Sequence, residues 1–518
     1  MPIKIALIAE PEFANADWFK RLTSEIAAAK DLAIVRLVFS KPDSTKINWS
    51  KRLARAWWQI ERRAVLRSRG PNETVSPNDL GSAETSDEDK TPVPSPAQAD
   101  LVIDLTRTPG ATISATETRF GVWYVDVLKS APYAFAVDCL IHKRSGAEIN
   151  LFRVAPNENE HQALGQAFVD LRPTALMLDQ AILEKSASLM LRELKRTAMT
   201  ERCETERGNP SAAYDHPSAS QMAFYLFRLF QTAISRSIEK VLGKLQLRPG
   251  AFELRFGQAS ALSFDLFKLT SIKNPKGHYF ADPFLFRQDE ETYVFFEDYQ
   301  YQKRKGRISV GKLVDETLTD VRSVIETDYH MSFPFVFSKG GKIYMIPETG
   351  ASKQIELWEC SSFPDRWFKS KNIMKDIIAA DSVIFEHNGT DWLFTSTSSD
   401  STGDLNSELH LFKFSGDDLD TVEAHPLNPV IIDSRRARNG GRILSIDGEN
   451  YRVSQNKSFG IYGAGLNLMK IDALTMTEYR ESVSRTVLPA GANNAIGCHH
   501  LDVLEDVLIT DVRLKYDP

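Results

Sequence analysis

The chain has 518 residues, of which 42% are hydrophobic and 25% charged. That length suits two to four domains, and the balance excludes a wholly disordered chain, a collagen-like repeat and a polytopic membrane protein. Its 63 Lys and Arg against 69 Asp and Glu give a net charge of −6, so no whole-chain basic field points to a nucleic-acid partner.

The opening MPIKIALIAEPEF has a short apolar core that soon meets Glu10 and Glu12, and it reads as a first β-strand rather than a signal peptide. Cys139, Cys203, Cys360 and Cys498 are far apart and form no CxxC pair, so neither a disulfide framework nor a zinc site is expected. The expected compartment is a reducing cytoplasm.

Strand and helix alternate through the N-terminal region. Lys4–Glu10, Ala33–Ser40, Ala99–Thr106, Gly121–Val127 and Glu148–Val154 read as strands, Trp18–Lys30 and residues 176–197 as helices. Continuous apolar strands in such alternation predict an α/β doubly wound parallel sheet over residues 1–199. The turn after the first strand, EPEFANADW, has no glycine to bring backbone amides against a pyrophosphate, so no dinucleotide is expected. Two stretches, 68–98 and 200–219, are poor in large apolar side chains and rich in Ser, Pro, Asp and Glu. The first is expected as a disordered insert and the second as the linker that ends the domain.

Two segments are basic. Lys51–Arg69 carries seven Lys and Arg against Glu61, with Trp57 and Trp58 among them and Trp49 just before. Within residues 220–260, an amphipathic helix and connector, Phe224, Phe227, Phe230, Ile234, Ile238, Val241 and Leu245 fall at helical spacing beside Arg228, Arg236, Lys240 and Lys244. Neither apolar run reaches the roughly 20 residues that a bilayer span needs. Two readings stay open for them: a helix docked within the protein, and peripheral contact with an anionic membrane.

From residue 261 to 518 one pattern recurs, a short apolar strand, a polar turn and an aromatic-bearing strand. The copies are ADPFLFRQDEETYVFFED, FPFVFSKGGKIYMIPET, ADSVIFEHNGTDWLFTST, GGRILSIDGENYRVSQN and HHLDVLEDVLITDVR, starting at 281, 333, 380, 440 and 499. Five copies, each matching the inner hairpin of a four-stranded blade, predict a five-bladed β-propeller.

Innermost strands of a propeller converge on a central funnel. Asp282 and Asp381 recur at one register, and Glu348 closes the second inner hairpin as Glu297 and Asp298 close the first and Gln455 the fourth. Asp282, Glu348 and Asp381 are the candidate catalytic carboxylates, since one such group can activate an attacking oxygen while another protonates the leaving oxygen. Arg438, Arg452, Gln455 and His500 are the candidate substrate-binding residues; of His499 and His500, strand alternation lets one face the funnel. Trp358, Trp367 and Trp392 are expected as blade core. No cofactor is implied, and no metal site is evident from ligand spacing, although a carboxylate-lined funnel suits calcium.

Two resemblances follow from the repeats. HYFADPFLF resembles the first blade of five-bladed glycosidases of the arabinanase and xylosidase type, which implies a general-base role for Asp282. Their order is Asp then Glu for the other two carboxyls, whereas here Glu348 precedes Asp381. Nearly all of 262–518 is similar to the propeller region of glucosamine inositolphosphorylceramide transferases, through ADPFLF, FPFVF, IYMIPET, IELWE, DSVIF, YRVSQN, YGAGLNLMKID and GCHHLDV. In those plant proteins a separate glycosyltransferase domain follows the propeller, and the sequence here does not extend into one. The N-terminal region resembles the formyltransferase superfamily in strand order, ADLVIDL and GVWY. Its stretch GVWYVDVLKSAPYAF lacks the family's histidine, which implies a scaffold without the formyl chemistry.

Three functions remain open. One is a glycosyltransferase-type enzyme of bacterial surface polysaccharide or glycolipid biosynthesis, using a nucleotide sugar or a lipid-linked acceptor at the inner face of the membrane. The others are an inverting glycosidase and a non-catalytic glycan-binding scaffold.

Overall fold

A computed structural model describes residues 1–39, 57, 99–107, 118–244 except 132, 157 and 159, 251–489 except 315, 316, 417 and 420, and 494–515. The expected disordered insert 68–98 and most of the basic segment Lys51–Arg69 lie outside the described residues. The chain divides into Met1–Ile234 with Asp400–Thr402, and Ser235–Ser399 with Gly403–Pro518.

In the first unit a seven-stranded sheet runs in the order Leu32–Phe39, Ile3–Ala9, Leu101–Leu105, Val122–Val125, Gly146–Val154, His161–Asp170, Glu206–Arg207. Its first three pairings are parallel and its last three antiparallel. The sheet is therefore mixed, a correction to the expected all-parallel arrangement. A short connection between Gly146–Val154 and His161–Asp170 permits only antiparallel pairing. The second of these, HQALGQAFVD, is too polar at its start to announce itself as a strand. Trp18, Phe19, Leu22 and Ile26 form the buried stripe of the helix Asp17–Ala28. The Thr174 hydroxyl accepts the Met177 N–H and caps the helix Ala175–Thr200.

Residues 200–219, expected as a linker, are hydrogen-bonded onto this unit. Ala131 N–H donates to the Tyr214 carbonyl at 2.8 Å, Tyr214 N–H donates to the Ser130 hydroxyl at 3.1 Å, and the Tyr214 ring packs 5.1 Å from Phe135.

The second unit is a five-bladed propeller. Its first four blades take consecutive strands: His278–Gln288 to Thr317–Ile325, Ser332–Lys339 to Arg366–Lys375, Ala379–His387 to Val422–Ala424, and Asn439–Ile446 to Tyr479–Val487. The fifth is built from both ends of the domain. Val507–Leu514 pairs on one side with Leu501–Leu504 and Ala495–Gly497, and on the other with Ala251–Gln258, which pairs in turn with Thr270–Ile272. The ring is thus closed by a strand that starts ten residues before the expected boundary at 261. This pairing leaves no open edge between the ends of the domain.

All five sequence repeats fall on inner hairpins. Phe284, Phe295, Phe333, Phe335, Trp392 and Phe394 fill the space between blades, with Trp358 and Trp367 packed at its margin.

Candidate active site in the propeller funnel

The same irregularity recurs in four innermost strands. The register slips between Ala281 and Phe284, Ser332 and Phe335, Ala380 and Val383, and Asn439 and Ile443. Each slip holds a residue of positive φ: Asp282 (50°), Phe333 (47°), Asp381 (50°) and Gly441 (150°). A bulge of this kind breaks the ladder and re-aims a side chain, and Asp tolerates the left-handed region better than most residues. At Gly441 a Cβ would lie 1.9 Å from the Leu501 carbonyl oxygen, so only glycine fits between the fourth and fifth blades.

Around these bulges two linked groups form. In the first, Arg438 donates from Nε to Asp381 Oδ2 at 2.5 Å and from Nη2 to Glu348 Oε2 at 3.0 Å. Gln455 Nε2 donates to the same Asp381 oxygen at 2.7 Å and to the Asn439 carbonyl at 2.9 Å. The Tyr462 ring lies 5.6 Å from the Arg438 guanidinium. Four candidates from three blades, Glu348, Asp381, Arg438 and Gln455, therefore meet at one point.

In the second group Asp282 is central. Its Oδ2 accepts the Phe333 N–H at 3.3 Å, and its own N–H donates to Asp511 Oδ2 at 3.2 Å. His499 Nε2 and His500 Nδ1 stand 3.8 and 3.7 Å from Asp282 Oδ1. His499 Nδ1 is 2.6 Å from Asp511 Oδ2, and Phe252 stacks on the His499 ring at 4.4 Å. His500, the histidine expected to face ligand, is wedged edge-on between Phe284 and Phe333 at 4.5 and 5.2 Å. It is fully buried, and burial pushes its pKa down to about 3, so the ring is neutral.

Glu297 joins these groups from the second strand of the first blade, opposite Ala281. It is 5% exposed, and its Oε1 has no hydrogen-bond partner among the described residues; His330 Nε2 is 3.6 Å away. Arg452 lies elsewhere. It is fully buried inside the fourth blade, paired with Glu481 at 2.7 Å, and it donates to the carbonyls of Arg436 and Ala437 and to Asn439 Oδ1. Those bonds hold the segment that carries Arg438.

The electrostatics follow from crowding carboxyls away from water. Burial raises Asp282 to about 7; His499 opposes the rise, and Asp511 and Asp381 add to it. Burial also lifts Glu297 well above the carboxylate range, with the Asp282 and Glu348 charges adding to it. Glu348 rises through burial as well, against the pull of Arg438 and with the push of Asp381. Burial resists a charge on His499, yet Asp511 and Asp282 hold its pKa above the ordinary value. Asp282, His499 and Asp511 each bring one donor atom within 4.8 Å of the others, a set that can hold a cation. The Asp511 oxygens are already used by His499 and by the amides of Asp282, His499 and His500.

At the rim, Tyr279 stacks on Tyr299 at 4.7 Å, with Tyr301 and Phe252 at 5.8 and 5.6 Å. The half-buried tyrosines combine a flat apolar face with a hydroxyl, as a sugar-binding wall requires. Glu297, His499, Asp511, Tyr279 and Tyr462 are additions to the expected set. One signal was available for Glu297: it and Glu348 occupy equivalent places, opposite Ala281 and Ser332.

A family model described as Glucosamine inositolphosphorylceramide transferase 1, N-terminal, matches residues 267–507. Glucosamine inositolphosphorylceramide transferase 1 of Arabidopsis thaliana is 35% identical over 235 residues, covering 44% of this chain and 30% of its own length. The protein of the same name from Oryza sativa subsp. indica is 32% identical over 272 residues, covering 50% of this chain and 36% of its own. The chain thus spans about a third of the length of these relatives. Among solved structures, Zg3597, a family 117 glycoside hydrolase from the marine bacterium Zobellia galactanivorans, is 11% identical at a TM-score of 0.34, covering 51% of this chain and 91% of that one. The C-terminal half is therefore similar in sequence to the N-terminal region of the transferase family.

Proposed function

We propose that the propeller funnel is the active site of a glycosyltransferase-type enzyme, acting on a sugar donor and a lipid-linked acceptor in bacterial surface polysaccharide or glycolipid synthesis. The observation that carries this reading is the contact of Arg438 with both Asp381 and Glu348, beside a second pair of carboxyls, Asp282 and Glu297, whose proton affinity burial raises. Similarity to transferases whose name includes an inositolphosphorylceramide supports a sugar and a lipid as the two substrates.

In this mechanism Asp282, titrating near pH 7, takes the proton of the attacking acceptor hydroxyl. The new C1–O bond forms as the bond from C1 to the leaving oxygen breaks, and Glu348, whose proton affinity burial raises, gives its proton to that oxygen. Asp381 keeps Arg438 and Gln455 in place. Two carboxyls in different protonation states are the pairing that sugar transfer or hydrolysis needs.

The rest of the reading follows from this one. The N-terminal unit, a mixed sheet with helices whose segment GVWYVDVLKSAPYAF holds no proton-carrying histidine, serves as a scaffold. The protein works in the cytoplasm at the inner membrane face. A thermal-shift screen against nucleotide sugars, sugar phosphates and neutral glycosides tests the proposal. A shift with a nucleotide sugar or sugar phosphate that is lost in Asp282→Asn supports transfer. Shifts with neutral oligosaccharides alone replace transfer by hydrolysis, and silence across the panel overturns the active-site reading.

A further inference from the structure

The helix Ala219–Lys244 is anchored along one side and bare along another. Met222 and Tyr225 are buried, and the Tyr225 hydroxyl accepts the Ala175 N–H at 2.9 Å. Phe224, Phe227, Phe230, Ile234 and Ile238 are instead 43%, 55%, 65%, 43% and 53% exposed. With 3.6 residues per turn, these five fall within an arc of about 120°. From the first to the last the row is about 21 Å long at 1.5 Å per residue. Single exposed apolar residues are ordinary on a folded protein, but a continuous row of three phenylalanines and two isoleucines marks an interaction face.

Charge selects the partner. The helix sequence carries Arg228, Arg236, Lys240 and Lys244 against Glu239 alone, 4 − 1 = +3, in a chain whose net charge is −6. The Arg228 guanidinium lies 5.1 Å over the Phe224 ring, at the border of the apolar row. No helix among the described residues is long and apolar enough to cross a membrane. An apolar stripe bordered by Arg228, on a helix of basic sequence, suits a position in the plane of a bilayer interface, its rings among the upper acyl chains and anionic headgroups beside it.

We propose that this face of Ala219–Lys244 docks the protein onto an anionic lipid surface. The inference deepens the reading of a lipid-linked acceptor by naming the surface that brings the chain to it, and its observations are those of the helix alone.

Vesicle flotation of the full chain tests it, with phosphatidylcholine vesicles with and without phosphatidylserine. The expected result is binding that needs phosphatidylserine, weakens with salt, and falls about tenfold or more in Phe227→Gln/Phe230→Gln. Phe227→Leu/Phe230→Leu keeps most of the binding, since it preserves the apolar surface. Equal binding by the Gln variant, or no binding by the unaltered chain, overturns the proposal. So does self-association in sedimentation that the Gln variant abolishes, because the face then belongs to a second copy. The two readings fail separately. Sugar-induced thermal shifts persist in the Gln variant, whereas Asp282→Asn removes those shifts and leaves flotation unchanged.

Discussion

Arg438 meets Asp381 at two points, Nε to Oδ2 at 2.5 Å and Nη2 to Oδ1 at 3.3 Å. The planar fork of a guanidinium suits a carboxylate in this way, and Nη2 also reaches Glu348. Lysine brings one point charge and no fork. Arg438→Lys is therefore expected to weaken sugar-ligand binding about tenfold or more, as a loss of about 1.4 kcal/mol or more, measurable by titration. Because Arg438 opposes the rise of the Glu348 pKa, Arg438→Ala shifts the basic limb of an activity profile to higher pH. An unmoved limb in that variant dissociates Glu348 from the titration.

Asp282 combines a left-handed backbone with a carboxyl whose pKa burial raises to about 7, the proposed proton acceptor. Asn tolerates the same φ and reproduces the acceptor for the Phe333 N–H, but it cannot take a proton. Asp282→Asn should keep the melting temperature while lowering turnover by about 10²- to 10⁴-fold. Asp282→Val, β-branched at this φ, is expected to lose about 1–3 kcal/mol in chemical denaturation.

Glu297 provides a stability test with a definite sign. Its folded-state pKa is raised above the ordinary 4.5 by burial and by the Asp282 and Glu348 charges. The stabilisation from its neutral form is thus complete below that value and is lost as pH rises through the folded pKa. Glutamine cannot ionise. The gain in melting temperature of Glu297→Gln over the unaltered protein should therefore grow from about pH 5 to about pH 8. A difference that is flat or falls with pH contradicts the assignment.

Arg452 and Glu481 form a fully buried pair behind the segment that bears Arg438. Removing one partner strands the other charge, so Arg452→Met is expected to cost about 3–5 kcal/mol in denaturant unfolding. Arg452→Met/Glu481→Leu should recover much of that loss, since an apolar pair of similar volume replaces both charges. If the double variant is no more stable than the single one, the pair is not the source of the cost.

The propeller was legible because its inner hairpins are short, local and repeated. ADPFLF and ADSVIF place an aspartate at the same bulge in two blades, and that coincidence in register brought Asp282 and Asp381 forward as candidates. Arg438 and Gln455 proved to donate to Asp381, and Arg438 also to Glu348, although these residues come from two other blades. The strand His161–Asp170 and the antiparallel half of the N-terminal sheet were hidden by weak local patterning. The role of Ala251–Gln258 was hidden because its partner strand is more than two hundred residues away.

The sequence by itself determined the blade number and the class of groups at the funnel, since strand period and residue type are local properties. Tertiary structure alone decided which of them meet. It gave His499 the carboxylates and His500 the phenylalanines, put Arg452 into a blade interior, and brought Asp511 beneath Asp282. Those outcomes depend on how a bulge turns each strand and on how closely five blades crowd around one axis. Burial, which raises the carboxyl pKa values, and the partner of each side chain are properties of that assembled centre.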